Sequence, residues 1–300
     1  MRWKNRRSSN NVQDRRGQRA PMRMGGMSSP ILGLLLRMLF SGGKGSKMGL
    51  LLIVGGIFLM FKMGINPLAL LGGQTGGAMQ QTTATSPEED ELAAFVKVVL
   101  AETEDTWNRI FAAEGRDYPE PTLVLFRGQV KSACGLASAA SGPFYCPGDS
   151  QVYIDLGFYE ELRRKFEAPG DFAQAYVIAH EVGHHIQNLT GVLPRFNQQR
   201  RSMSKAEENQ MSIRVELQAD CYAGVWAHDT AKNNLLEEGD IDEALNAAEQ
   251  IGDDAIQERI QGYVVPESFN HGTSQQRRTW FKRGFQNGDV DQCDTFSGPV

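Results

Sequence analysis

Two histidines lie four residues apart, with a glutamate directly after the first, in the segment His180-Glu181-Val182-Gly183-His184. On an α-helix four residues advance about 400°, so His180 and His184 project from one face and can both bind one Zn²⁺. Glu181 lies about 100° around the axis, where it can reach water activated by the metal without being a ligand. The pattern therefore predicts a zinc site with Glu181 as the general base.

The residues around this motif have the spacing of a half-buried helix. Apolar side chains recur beside the two histidines, at Ala175, Ile178, Ala179, Val182 and Ile186. Residues 172–189 are therefore predicted to be helical, and Gly191 stands where a C-terminal cap would fall. The alternative is a surface helix that carries histidine and glutamate by coincidence.

A catalytic zinc site needs a third protein ligand and one open coordination position. Metzincins use a third histidine six residues after the second, but that position is Thr190, and Gln187 stands where their motif has glycine, so this class is excluded. The segment 214–221 instead places Glu216 and Asp220 on one helix face. Glu216 is the predicted third ligand, and Asp220 is predicted to accept a hydrogen bond from the non-metal nitrogen of a ligand histidine. The alternative is two acids on a solvated helix face.

Three motifs together resemble the bacterial putative neutral zinc metallopeptidase family: H-E-V-G-H, then E-L-Q-A-D-C, then H-G-T-S-Q-Q-R near the end. The segment G-P-F-Y-C-P at 142–147, leading to V-Y-I-D at 152–155, resembles that family too. The similarity covers nearly the whole chain and implies a gluzincin-like zincin fold with peptidase activity. His271 matches the family's H-G-T-S position, which implies a catalytic histidine that donates a hydrogen bond to the oxyanion. The alternative is a helix-entry histidine bonded to backbone.

The rest of the domain is predicted to combine helices with a small sheet. Helices are expected at 88–114, 205–232 and 241–251, and a last one begins near Thr273 with a capping box. Ala223 and Gly224 are small and would let the 205–232 helix approach the H-E-x-x-H helix closely. Strands are expected at 122–126 and 152–156, the second as an edge strand that pairs with substrate. The fold class is therefore an α+β, zincin-like metallopeptidase domain at 87–300.

Four cysteines fit no C-x-x-C zinc or redox signature: Cys134, Cys146, Cys221 and Cys293. An even count outside a reducing compartment suggests two disulfides, for which the sequence allows three pairings. Local closure favours Cys134–Cys146, which leaves Cys221–Cys293. The alternative is four reduced, buried thiols.

Charge is divided unevenly along the chain. Residues 1–47 hold eleven Lys or Arg and a single acid, Asp14, for a net charge of +10, whereas the remainder carries 20 basic and 35 acidic residues. An acidic domain of net charge −15 argues against nucleic acid as its main partner, because phosphate binding needs positive surface. Residues 1–30 lack a periodic apolar face, so 1–47 is predicted to be a largely disordered, basic cytoplasmic tail.

An uncharged apolar run at 48–61, extended past Lys62, predicts one membrane-spanning helix in an anchor region at 48–71. Positive flanks stay in the cytoplasm, which would place the following domain on the other side of the membrane. A cleaved signal peptide is disfavoured because the basic leader is long and no clean cleavage site follows. Residues 72–86 are predicted to be a flexible linker. The expected location is the bacterial inner membrane, single-pass, with a periplasmic or extracytoplasmic catalytic domain.

These features together predict a zinc endopeptidase with one Zn²⁺ per chain and a peptide or protein substrate. A non-catalytic, membrane-anchored zinc scaffold is one alternative, but it would need a fourth protein ligand and would leave Glu181 without a purpose. A zinc amidase that acts on cell-wall material is the other, and nothing in the sequence excludes it.

Overall fold

The computed structural model of the chain describes residues 1–18 and 85–300. The predicted anchor at 48–71, and all of the predicted linker at 72–86 except its last two residues, lie outside the described residues. Within the described ranges no helix is both long enough and apolar enough to cross a membrane. Both ranges belong to the same unit by their contacts.

Residues 85–300 contain eight α-helices, joined in places by short 3₁₀ turns. They are α1 (Pro87–Ala113), α2 (Gly157–Arg164), α3 (Asp171–Leu189), α4 (Val192–Gln199), α5 (Lys205–Lys232), α6 (Asp240–Gln250), α7 (Asp253–Gln261) and α8 (Ser274–Asn287). The predicted helices agree with α1, α3, α5 and α6 to within one residue at each end. The short helices α2, α4 and α7 were not predicted, because eight or nine residues give little periodic signal.

Local sequence explains where several helices begin and end. Ser86, Ser204 and Thr273 each form a capping box at the start of α1, α5 and α8, and the box at Thr273 was predicted. Gly191 follows α3 in a left-handed conformation (φ 84°), which a residue without Cβ adopts at little cost. The predicted cap at Gly191 is therefore confirmed.

The strands within the described residues are β1 (Val12–Asp14), β2 (Thr122–Phe126), β3 (Gln129–Ser132), β4 (Gly135–Ser138), β5 (Phe144–Cys146) and β6 (Gln151–Asp155). One sheet has the order β1-β2-β6-β5, with β1, β2 and β6 parallel and β5 antiparallel to β6, whereas β3 and β4 form a separate hairpin. Leu123 and Leu125 pack in the main core, and Val124 and Phe126 pack in a second cluster with Val130 of the hairpin. Burial on both faces explains the continuous apolar run of β2. The α+β class is confirmed.

The position of the predicted edge strand is wrong. The strand expected at 152–156 is β6, which lies between β2 and β5. Among the described strands, the two edges of this sheet are β1 and, next to β6, β5. Strand β5 escaped prediction because three residues next to a glycine- and cysteine-rich loop carry no alternating pattern.

Close helix contacts depend on three glycines. At Gly183 of α3 an added Cβ would lie 3.0 Å from the Ala219 carbonyl oxygen of α5. At Gly224 of α5 an added Cβ would lie 2.1 Å from the Phe281 carbonyl oxygen of α8, and Gly284 meets α5 in the same way. The prediction that Gly224 brings α5 close to the H-E-x-x-H helix is therefore wrong. Gly183 serves that contact, and Gly224 serves the contact with α8.

The predicted disorder of the N-terminal tail is wrong for residues 1–18. These residues pack along the domain, and β1 pairs with β2 over Val12 to Asp14. Composition alone is misleading here because the basic side chains bind acids of the domain, so charge contributes to docking rather than to repulsion.

Both predicted disulfides are present. Cys134 is bonded to Cys146 at the end of β5, and Cys221 of α5 is bonded to Cys293 in the segment after α8. The second bond closes a sequence separation of 72 residues and holds the C-terminal segment against α5. All four thiols are therefore paired.

Candidate metal centre

Helix α3 places the two histidines of the H-E-x-x-H motif on a buried face. The apolar residues beside them are almost fully buried, including Ile178, Ala179 and Val182. The absence of a side chain at Gly183 lets α5 cross at this level, so Glu216 of α5 faces both histidines. The three predicted ligands, from two helices, therefore come together as expected.

The separations between these ligands fit zinc. Glu216 Oε2 lies 3.3 Å from His180 Nε2, and Glu216 Oε1 lies 3.6 Å from His184 Nε2. Tetrahedral bonds of about 2.1 Å place ligand atoms about 3.4 Å apart. Two imidazole nitrogens and one carboxylate are also a donor set that zinc prefers. The residues present therefore fit a zinc ion.

The other nitrogen of each histidine is already bonded. His180 Nδ1 lies 2.8 Å from Asp220 Oδ1, and His184 Nδ1 lies 2.8 Å from Gln187 Oε1. Because both partners are acceptors, each Nδ1 carries a proton, and each Nε2 faces the Glu216 carboxylate. A carboxylate that faces two ring nitrogens needs positive charge between them, which either protons on Nε2 or a metal ion bound by neutral imidazoles can supply. This arrangement favours a cation, and the expected hydrogen bond between Asp220 and one of the two motif histidines is present at His180.

The electrostatics of the cluster favour positive charge in the same place. Burial alone would lower the pKa of His180, but the Asp220 carboxylate outweighs it and raises that pKa to about 10. Burial alone would raise the pKa of Glu216, but the charges and hydrogen bonds of His184 and His180 hold it well below its ordinary value. The site therefore stabilises an ionised carboxylate beside cationic groups.

Sequence reasoning missed two residues behind Asp220. Arg277 of α8 donates to both oxygens of the Asp220 carboxylate at 2.9 Å, and the Tyr176 hydroxyl of α3 donates to Oδ1 at 2.5 Å. Arg277 and Asp220 are 3% and 0% exposed, so the pair is buried with its hydrogen bonds made. Arg277 is the last residue of the H-G-T-S-Q-Q-R motif, and its place in that motif is the one feature of the sequence that could have indicated a role at the site. This network fixes the carboxylate that orients His180.

Glu181 is buried beside the ligand cluster and is not among its three members. Burial raises the pKa of its carboxyl, and the charges of His184 and His180 offset only part of that rise. A carboxyl group with a raised pKa is a better proton acceptor than an exposed glutamate near neutral pH. The geometry is therefore compatible with the general base that the motif predicts.

An open cleft of about 680 Å³ leads to the three ligands. Edge strand β5 lines one side through Phe144 and Tyr145, and helix α4 lines another through Leu193 and Phe196. The Tyr145 hydroxyl donates to His185 Nδ1 at 3.0 Å, which ties β5 to α3. The cleft therefore places an edge strand next to the three candidate ligands.

His271 also lines this cleft, on the segment before α8. Its Nδ1 lies 3.1 Å from Asp253 Oδ1, and its side chain is 52% exposed. Partial burial would lower the pKa of His271, but the Asp253 hydrogen bond and the charge of Glu216 raise it above its ordinary value. Asp253 also accepts the backbone N–H groups of residues 270–272, so the imidazole is held at the cleft by a fixed loop.

Comparisons with known proteins identify the family of this chain. A family described as "Putative neutral zinc metallopeptidase" matches residues 1–296. The Escherichia coli K12 protein named "Uncharacterized protein YpfJ" is 49% identical over 300 residues, which is 100% of both chains. The Mycobacterium tuberculosis H37Rv protein named "Uncharacterized protein Rv2575" is 42% identical over 214 residues, 68% of this chain and 71% of the relative. No solved structure matches. The chain therefore belongs to the putative neutral zinc metallopeptidase family.

Proposed function

We propose that this chain is a zinc-dependent endopeptidase with one Zn²⁺ held by His180, His184 and Glu216. The observation that carries the proposal is the convergence of these three ligands at zinc separations at the base of an open cleft. Glu181 stands beside them outside the ligand set. The family supports zinc and peptidase activity in general terms, and the cleft supports the reaction proposed for this chain.

The protein side chains have separate roles in hydrolysis. Bound zinc supplies Lewis acidity, which makes water a nucleophile near neutral pH and polarises the scissile carbonyl. Glu181 accepts the proton from the attacking water and passes it to the leaving amine, a transfer suited to its raised pKa. Asp220 holds His180 in the tautomer that leaves Nε2 free.

His271 is proposed to stabilise the oxyanion of the tetrahedral intermediate. Its pKa is raised, which favours the protonated imidazole, and Asp253 occupies Nδ1. Nε2–H is then the nitrogen free to donate into the cleft. Charge on this donor stabilises developing negative charge more than a neutral donor would.

Strand β5 is proposed to bind the substrate backbone. As one of the two edge strands of this sheet among the described residues, it has backbone groups on its outer side that can pair with an extended peptide. It lies between the cleft and β6, so a peptide added there passes the metal ligands. This assigns to β5 the role that the sequence pattern gave to 152–156.

The number of ligands argues against a structural zinc site. Structural sites are closed by four protein ligands, whereas the described residues offer a cluster of two histidines and one glutamate here. The cleft reaches all three of these side chains, so a metal ion that they held would be open to water and substrate. A non-catalytic scaffold is therefore the less favoured function.

We also propose that the domain is exported from the cytoplasm. Two disulfides support this location, because such bonds persist in oxidising compartments and are rare in a reducing cytosol. Attachment to the bilayer through 48–71 is proposed from the apolar sequence pattern alone.

The test compares wild type with Glu181→Gln for zinc content and for hydrolysis of a peptide library. The variant should keep one zinc per chain and lose roughly 10²–10⁴-fold in rate, because it lacks the proton acceptor. Glu160→Gln is the control, since Glu160 is an exposed partner of Arg163 on α2. Wild-type rates in Glu181→Gln would refute the mechanism. If wild type and Glu181→Gln both bind zinc and neither hydrolyses any peptide, the non-catalytic scaffold is supported. If wild type hydrolyses muropeptides and no other peptide, the amidase is supported.

A further inference from the structure

The N-terminal segment is built into the domain by backbone hydrogen bonds. Leu123 N–H donates to the Asn11 carbonyl at 2.8 Å, and Arg15 N–H donates to the Leu125 carbonyl at 2.8 Å. Nearer the N terminus, Ser9 N–H donates to the Lys97 carbonyl of α1 at 2.9 Å. These bonds join the segment to two different elements of the domain, so docking does not depend on one contact.

Buried carboxylates of α1 find their partners in this segment. Arg6 donates to Glu102 at 2.9 Å and 3.2 Å, and Arg7 donates to Glu104 at 2.9 Å. The Ser9 hydroxyl adds a bond to Glu104 at 2.5 Å. Glu102 and Glu104 are 5% and 1% exposed, and burial of such acids requires paired charge. The acidic domain and the basic segment are therefore complementary at the level of single residues.

Met1 and Trp3 also pack against the domain. The Met1 side chain is buried, and its α-ammonium lies 2.9 Å from Asp171 and 2.8 Å from Glu237. Trp3 packs edge-on against Phe95 of α1, with ring centroids 5.5 Å apart. Contacts with the domain therefore begin at residue 1 and continue at intervals to β1.

The N-terminal segment covers one edge of strand β2. The β2 residues Leu123 to Phe126 are at most 2% exposed. Without β1, this apolar strand would become an open sheet edge, which invites pairing with other chains. The docked segment is thus part of the folded domain.

We propose that residues 1–18 and 85–300 occupy the same aqueous compartment as one folded unit. Contacts of about 3 Å cannot form across a bilayer whose hydrocarbon core is about 30 Å thick. The intact unit is thus incompatible with a tail in the cytoplasm and a domain on the other side. This proposal is independent of the proposed enzymatic activity.

Labelling of single cysteines in intact cells tests the proposal on the full chain. Lys4→Cys and Lys205→Cys report the two parts, since these lysines are 72% and 74% exposed and the native cysteines are all in disulfides. A small membrane-impermeant maleimide should label both positions in intact cells or neither of them. Permeabilisation should change the labelling of the two positions to the same extent. Labelling of one position, with the other protected until cells are permeabilised, would overturn the proposal.

Charge reversal tests the docking itself in purified full-length protein. Arg7→Glu places like charges beside buried Glu104 and should lower Tm by roughly 6–12 °C and expose the N terminus to protease. Combining it with Glu104→Arg should recover at least about half of the loss. Lys4→Glu is the control, because its partner Glu91 is 60% exposed, and should change Tm by about 2 °C or less. An unchanged Tm and protease resistance in Arg7→Glu would show that the segment is not docked.

Discussion

Replacing Asp220 with asparagine tests the hydrogen-bond network behind the proposed metal ligands without changing any of the ligands. The side chain is fully buried and accepts hydrogen bonds from His180, Tyr176 and Arg277. An amide keeps the shape but has no charge and one acceptor oxygen in place of two. His180 then loses the charged partner that fixes its tautomer.

Two magnitudes follow from this geometry. Loss of a partner that orients a ligand histidine typically weakens metal binding by about 10–100-fold, which is about 1.4–2.7 kcal/mol. The Arg277 guanidinium also stays buried without a counter-charge, at a cost of about 3–5 kcal/mol in the free energy of unfolding. The metal-free variant should therefore unfold roughly 10 °C below the metal-free wild type.

The assay measures zinc affinity by competition with a chromophoric chelator, and Tm in EDTA. Asp229→Asn on the same helix is the matched control, because its partner Arg109 is 59% exposed and neither residue contacts the histidines. It should cost about 1 kcal/mol or less and leave zinc affinity unchanged. A folded Asp220→Asn protein that binds zinc as tightly as wild type would refute the reasoning.

Three further predictions concern other parts of the domain. His271→Ala should lower kcat about 10²–10³-fold with little change in KM for a peptide that wild type cleaves, whereas an equal kcat would exclude an oxyanion role. Gly224→Ala should reduce the free energy of unfolding by about 3 kcal/mol in urea, because its Cβ would lie 2.1 Å from a backbone oxygen of α8. The control Gly298→Ala has open space around it and should change stability by less than about 0.5 kcal/mol. Burial would lower the pKa of the Met1 α-ammonium, but its acidic partners outweigh this and raise it from 8.0 to about 10. The α-ammonium therefore contributes to the free energy of unfolding fully below pH 8, and this contribution is lost as pH rises through about 10. Because two of its partners are partly exposed, the contribution should amount to about 1 kcal/mol. Unfolding in urea at pH 7.5 and 10.5 measures it, and a matched N-acetylated chain that shows the same alkaline loss would contradict the assignment.

The sequence fully determined those parts of the site that lie within one helix. The positions of His180 and His184 follow from 3.6 residues per turn, and the same periodicity puts Glu216 and Asp220 on one face of α5. Capping chemistry is local as well, so the start of α8 at Thr273 was predictable. The disulfide pairs were predicted from loop closure, which is also a property of the chain.

The tertiary structure decided which helices meet, which strand lies at the edge, and where residues 1–18 bind. Arg277 reaches Asp220 because α8 packs on α5 through Gly224, a contact between residues more than fifty positions apart. Strand β1 forms because β2 offers an open edge and α1 offers buried acids, not because its own residues favour a strand. Such pairings depend on complementary surfaces from distant parts of the chain, and local periodicity carries no information about them.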